Sequence, residues 1–195
     1  KWRGENLLAP DALVRVGMDL LNLYKGANVP LFPLPNSKPL TWSPPSLPFF
    51  KVNIAVCSSL DPFYCGVSFV MCDFIGHCVL AYADKVRMEQ GFKAQLSTFV
   101  LALQVSLEPG INEVQFESSH GLAVSTCGLA QMDSGYCGNL VLEINRLASL
   151  FCICKFTSIP PRCNVLALEL ATYACNISSS ETWLGTIPPF LINLV

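Results

Sequence analysis

The run Phe49, Phe50, Lys51, Val52, Asn53, Ile54, Ala55, Val56, Cys57 constrains the fold of this chain more than any other stretch. Its aromatic and β-branched residues suit a pleated strand. Immediately upstream, residues 29–48 hold seven of the fourteen prolines. Proline at that density fixes φ and removes donors, which favours an extended linker over helix or sheet. A folded domain is therefore expected to open at residue 49, with 29–48 as its linker.

Upstream of the linker, residues 11–25 place Leu13, Val16, Leu20 and Tyr24 on one helical face, with Pro10 and Asp11 at the start and Gly26 past the end. This predicts an amphipathic helix within an N-terminal segment 1–28, and its apolar face needs a partner surface. The chain begins at Lys1 and reads as a fragment or processed product of a longer one.

Downstream, three strand-like runs, 49–57, 64–72 and 77–83, follow at hairpin spacing and predict an antiparallel meander. Residues 92–107 carry Leu96, Phe99, Val100, Leu103 and Leu107 at helical spacing, stopped by Pro109 and Gly110. A strand at 112–117, a helix from about Ser119, a helix within 138–150 and a strand at 151–157 come next, and a last helix spans about 163–177. A strand that returns through a helix makes a parallel neighbour. The order βββαβααβα therefore predicts an α/β domain over 49–178: a five-stranded mixed sheet, three strands antiparallel and two parallel, flanked by helices. Residues 179–195 are read as a C-terminal tail.

Composition narrows function. With 195 residues, 52% of them hydrophobic, the chain can bury one sizeable core. No apolar run reaches the roughly 18 residues that span a bilayer, so no membrane partner is expected. Twelve basic residues against fourteen acidic ones leave no surplus for gripping a phosphate backbone. Lys85, Arg87 and Lys93 form a small basic group, read first as solvated surface and second as a weak nucleic-acid contact. Ten cysteines admit a disulfide framework in a secreted chain, where Asn176-Ile177-Ser178 would accept a glycan, or free thiols in a reducing compartment. Cys57, Cys72, Cys78, Cys152, Cys154 and Cys175 lie in apolar elements, which favours free thiols and an intracellular location, nuclear or cytoplasmic. Zinc spacing is absent, and His77 and His120 read as surface residues. No Gly-x-Ser-x-Gly elbow and no phosphate loop occurs.

Several motifs carry a resemblance. Trp42, Pro44 and Pro45 precede Lys51-Val52-Asn53; Gly66 through Met71-Cys72-Asp73 ends at Gly76; Val114, Phe116, Glu117, Ser118 and Ser119 close a strand. Arg162, Asn164, Ala167, Leu170 and Ala171 open the last helix, and Trp183, Pro188 and Pro189 follow it. In this order they resemble the plant-type ribonuclease H-like domain of reverse-transcriptase-like, retrotransposon-derived reading frames, and Trp2, Glu5 and Asn6 resemble the segment preceding it. The resemblance implies a ribonuclease H-like fold, whose active members cut the RNA of RNA/DNA hybrids with Mg²⁺ held by four carboxylates. Carried across, those positions hold Ala55, Gln95, Ser119 and Leu168. Cys72 stands where the family has arginine. Glu117 and Glu169 sit near the lost positions but read as solvated or paired surface acids.

The expectation is a pseudoenzyme: a ribonuclease H-like module with no catalytic residue, no metal and no cofactor, which binds an unidentified protein partner. Two alternatives stay open. One is residual binding, or weak cleavage, of RNA/DNA hybrid through Lys85, Arg87 and Lys93; the other is a mobile-element relic without a selected role.

Overall fold

A computed structural model describes residues 41–87, 91–107, 110–127 and 137–194. The N-terminal helix and most of the proline-rich linker lie outside these residues. Six strands form one sheet: β1 (Phe50–Ser58), β2 (Tyr64–Cys72), β3 (Cys78–Arg87), β4 (Glu113–Ser118), β5 (Ile153–Ser158) and β6 (Glu181–Leu184). Their order is β5-β4-β1-β2-β3-β6. The β1–β2–β3 meander is antiparallel, while β4 and β5 add in parallel on the β1 side. Among the described residues, four α-helices accompany the sheet: α1 (Gly91–Ser106), α2 (Gly121–Thr126), α3 (Gly138–Ala148) and α4 (Val165–Ala174).

The expected α/β class and element order hold, with one strand more than the five anticipated. Within the segment read as a tail, β6 pairs antiparallel with β3, Ala81 facing Trp183 and Ala83 facing Glu181. It is held there by aromatic packing. Tyr173 of α4 stacks on Phe190 at 4.3 Å between centroids, and Trp183 meets both rings edge-on. A final 3-10 turn, Pro189–Leu194, buries Leu191.

Alternation along the strands divides the side chains between two faces. One face sends Val52, Ile54, Phe69, Met71, Val114 and Phe116 against Leu96, Phe99 and Leu103 of α1 and Val141, Ile144 and Leu147 of α3. Phe99 meets Phe116 and Phe156 edge-on at 6.4 and 5.7 Å, and Phe116 stacks on Phe156 at 5.6 Å. The opposite face is lined with small residues. Ala55 packs on Ala167 and Ala171, and Ala81 and Ala83 pack with Leu170 and Ala174.

The hairpin joining β2 to β3 shows why its motif takes the form Asp73-x-x-Gly76. The Asp73 carboxylate accepts from the backbone N–H groups of Ile75 and His77 at 3.0 and 2.9 Å. Gly76 closes the turn at φ 87°, a conformation that side chains disfavour. Gly66 has a different reason. A Cβ there would overlap the Ala171 carbonyl oxygen and come within 2.9 Å of the Cys175 nitrogen. The helix lies almost on the strand backbone.

Gly66→Ala should therefore cost about 3 kcal/mol, the upper range for overpacking a close-packed contact. Urea unfolding of the variant checks this. A loss below about 1 kcal/mol would mean that α4 lifts away without penalty.

Candidate functional site

Three of the four positions carried over from the family fall into two contacts on opposite sides of β1, and the fourth, Ser119, joins neither. On the small-residue face, Ala55 is 2% exposed and packs under α4, with Leu168 against the same cluster. On the other face, Gln95 of α1 is buried and donates through Nε2 to Ser118 Oγ at 2.9 Å. Its partner is Ser118, not Ser119. Ser118 is the last residue of β4, in register with Ile54, whereas Ser119 is half-buried in the bend that follows. Pairing of β4 with β1 ends at Ile54, so Ala55 begins the part of β1 that has no β4 neighbour.

Next to this point lies a polar cluster to which sequence reasoning assigned no role. Asn53 Oδ1 accepts from the Trp42 indole N–H at 2.8 Å. Its Nδ2 donates to Glu117 Oε2 at 3.1 Å and to Asn164 Oδ1 at 3.2 Å. Asn164 in turn donates to the Ile54 carbonyl at 2.9 Å. Lys51 Nζ meets Glu117 Oε1 at 3.0 Å and donates to the Ser43 carbonyl at 2.7 Å, and both side chains of this ion pair are more than nine-tenths buried. Gln115 Nε2 completes the Glu117 shell at 3.1 Å. The signal available in the sequence was Lys51 and Asn53 at alternate positions of an otherwise apolar strand.

Two expectations are corrected here. Glu117 is paired but not at the surface: it points toward α4 and is saturated by Lys51, Asn53 and Gln115. His120 is half-buried and structural. Its Nδ1 accepts from Ala123 N–H at 3.2 Å at the start of α2, and its ring lies 6.0 Å from that of Phe92. Glu169 and His77 are exposed, as expected.

The basic residues divide. Arg87 and Lys93 line one depression of about 200 Å³ with Val67, Val86, Ala94 and Leu101. Lys85 is elsewhere, its Nζ 5.1 Å above the Tyr64 ring and close enough to Cys175 to act on its thiol. A larger groove, about 1050 Å³, runs beside the polar cluster, between the Trp42 segment, the β2–β3 hairpin, the start of α4 and the C-terminal turn. Val70, Leu166, Ile187 and Leu194 make its walls apolar, and Asn53, Asn164 and Arg162 supply polar groups.

Residues 53–174 match the family model described as reverse transcriptase-like, which is more than half of the chain. The chain belongs to the reverse transcriptase-like family. The fold of this reverse transcriptase-like chain is the ribonuclease H fold, as solved structures with few shared residues indicate. The N-terminal RNase H domain of a Mycobacterium tuberculosis protein is 17% identical at a TM-score of 0.59, with 66% of this chain and 94% of that one covered. RNase H1 of Halobacterium salinarum is 17% identical at a TM-score of 0.57, covering 65% and 96%. An RNase H1 isolated from compost by a metagenomic approach, solved in complex with an RNA/DNA hybrid, is 16% identical at a TM-score of 0.55, covering 66% and 96%. No protein among the curated sequences matches.

In this reverse transcriptase-like domain the polar cluster ties Trp42, β1, β4 and α4 together, so breaking it from one side should be costly. Lys51→Met should destabilise by about 3–5 kcal/mol, because Glu117 keeps its buried charge without a cation. The double variant Lys51→Met with Glu117→Gln should recover at least half of that loss in chemical denaturation.

Proposed function

We propose that the domain is a ribonuclease H fold without a hydrolytic centre, and that it serves as a binding module for a protein partner. The observation that carries this reading is the closure at Ala55. Hybrid hydrolysis of the family type needs divalent ions held by anionic oxygens in near-octahedral geometry. Ala55 and Leu168 offer no donor atom and pack on the alanines of α4. Gln95 is neutral and already engaged with Ser118. Glu117, on the neighbouring strand β4, is neutralised by Lys51. Such residues do not fit Mg²⁺. Among the described residues, no group of three or more His, Cys, Asp or Glu side chains is arranged to hold a metal ion.

Support for a protein partner comes from apolar surface. Leu184, Phe190, Ile192 and Leu194 are exposed around β6 and the C-terminal turn, next to the apolar groove. Adjacent exposed apolar side chains of this kind mark interaction surfaces more often than isolated ones do. A second reading, residual contact with RNA/DNA hybrid, is favoured by Arg87 and Lys93 sharing one depression and by the structural relative solved with such a hybrid. Two cations release few counterions, so that contact would be weak and salt-sensitive.

Purified protein is expected to show no Mg²⁺- or Mn²⁺-dependent cleavage of RNA/DNA hybrid. Chelator-sensitive cleavage that tracks the protein through purification would overturn the reading. Hybrid binding near 0.15 M salt should be weaker than about micromolar, and Arg87→Ala with Lys93→Ala should flatten its salt dependence by about two phosphate contacts. Tight binding that resists salt would promote the second reading.

Ala55→Asp supplies a separate check. A carboxylate placed under α4 has no partner there, so the variant should lose about 3 kcal/mol or more at neutral pH and recover part of it as the pH falls and the acid is protonated. Calorimetry with and without Mg²⁺ should give the same Tm, since one acid does not make a site.

A further inference from the structure

We propose that Cys57 and Cys175 are a reactive thiol pair that closes to a disulfide when the chain meets a low-molecular-weight disulfide such as oxidised glutathione, clamping α4 to the end of β1. The geometry comes from one row across the sheet. Cys57 on β1 faces Gly66 on β2, and Gly66 faces Lys85 on β3. Cys175, the residue capping the C-terminus of α4, sits above this row: a Cβ on Gly66 would come within 3.0 Å of its Sγ. The missing side chain makes room for the thiol. Cys175 Sγ lies 3.6 Å from the Cys57 carbonyl oxygen, which makes the two cysteines neighbours. Thr172, one turn back on α4, donates its hydroxyl to the Leu168 carbonyl at 2.9 Å and places its oxygen 3.6 Å from Cys57 Sγ, which puts that sulfur beside the helix.

Proximity to one another, together with partial exposure, separates this pair from the buried thiols among the ten, none of which is in a disulfide. Cys72 and Cys127 are buried, and burial pushes each up to about 12, where thiolate is scarce. Cys57 and Cys175 are only half-buried, so a small disulfide can reach them. Burial and the neighbouring Cys57 thiol hold Cys175 above the usual thiol range, and the Lys85 ammonium, seated over the Tyr64 ring, offsets only a part of this. Although an excess positive group beside phosphate was the simplest reading of this lysine, its neighbours are a thiol and an aromatic ring.

The chemistry balances without a further reactant. Cys175 thiolate attacks one sulfur of the oxidised glutathione, the S–S bond breaks, and one glutathione thiolate leaves. Cys57 thiolate then attacks Cys175 Sγ, and a second glutathione leaves. The two protein thiols are oxidised by two electrons, one glutathione disulfide is reduced to two thiols, and the two protons end on those thiols. The new bond joins residues 118 positions apart, so it removes much of the freedom of the unfolded chain.

The experiment treats the full chain with graded oxidised glutathione, quenches with an alkylating reagent under denaturing conditions, and maps the peptides. A Cys57–Cys175 peptide, lighter by two hydrogens, is expected before any other cysteine pair joins, with Tm higher by on the order of 10 °C. Cys57→Ser should stop at a glutathione adduct on Cys175 and lose the Tm rise. Lys85→Gln should slow cross-linking about threefold or more while exposed Cys152 reacts at its former rate. A different first disulfide, or both thiols still open to alkylation after Cys152 has been glutathionylated, overturns the pair. Cross-linking without a Tm rise overturns the clamp, and an unchanged rate in Lys85→Gln overturns the part given to the lysine.

Discussion

The close seating of α4 on β1 and β2 is the contact on which the rest of this structure depends. A helix presenting Ala167, Ala171 and Ala174 can approach a sheet presenting Ala55, Gly66, Ala81 and Ala83 until backbone meets backbone. Ser68 then reaches the Ala167 carbonyl at 2.6 Å, a hydrogen bond that only this short separation permits. Dispersion falls steeply with distance, so a gap of even one methyl group would forfeit much of the interface. The bulk excluded here is moved to the opposite face, where Phe69, Phe99, Phe116 and Phe156 fill the space under α1 and α3.

Position along that interface is set by the polar cluster rather than by the alanines, which could slide. Asn164 at the N-terminus of α4 bonds both Asn53 and the Ile54 carbonyl, so the first turn of the helix is fixed to β1 at two adjacent residues. Trp42 and Lys51 fix the segment entering the domain to the same strand. Buried ion pairs contribute little net stability, because desolvation offsets the attraction. Their value here is geometric. A shift of one residue in the β1–β4 register would carry Glu117 to the face occupied by Phe116 and Ile54, away from Lys51 and Asn53, leaving a charge in an apolar core.

Sequence patterning made most of this architecture legible, and what it missed has physical reasons. The meander and α1 follow from alternating and 3.6-residue periodicities that tertiary packing reinforces. The turn at Asp73 and Gly76 is local chemistry, complete within five residues. By contrast, β6 is four residues long and mixes Glu181 and Thr182 with Trp183 and Leu184, a pattern that becomes a strand only against the edge of β3 and the rings of Tyr173 and Phe190. Grouping Lys85 with Lys93 failed for a similar reason. Nearness in sequence does not survive a strand ending at Arg87 and a helix starting at Gly91, which send the two lysines to different surroundings. His120 read as surface because a histidine that caps a helix carries no periodicity of its own. Glu117 read the same way because its cation, Lys51, comes from a strand far away in sequence.

The region around Ala55 also bears on how the two faces of β1 are packed. Clustered carboxylates repel one another unless cations hold them, so a site built for metal is destabilised when empty. On the reading proposed above, the two sides of β1 avoid that strain in different ways. Beneath α4, Ala55 and Leu168 take part in helix packing, which suits the short helix-to-sheet distance at Gly66. Beneath α1, Gln95 keeps a polar but neutral side chain and satisfies it on the Ser118 hydroxyl at 2.9 Å. Both solutions leave no buried side-chain nitrogen or oxygen without a partner among the described residues. The amide–hydroxyl pair already holds polar groups, whereas an acid at Ala55 would lie buried against the alanines of α4, so the helix seating constrains that position more tightly than the contact beneath α1.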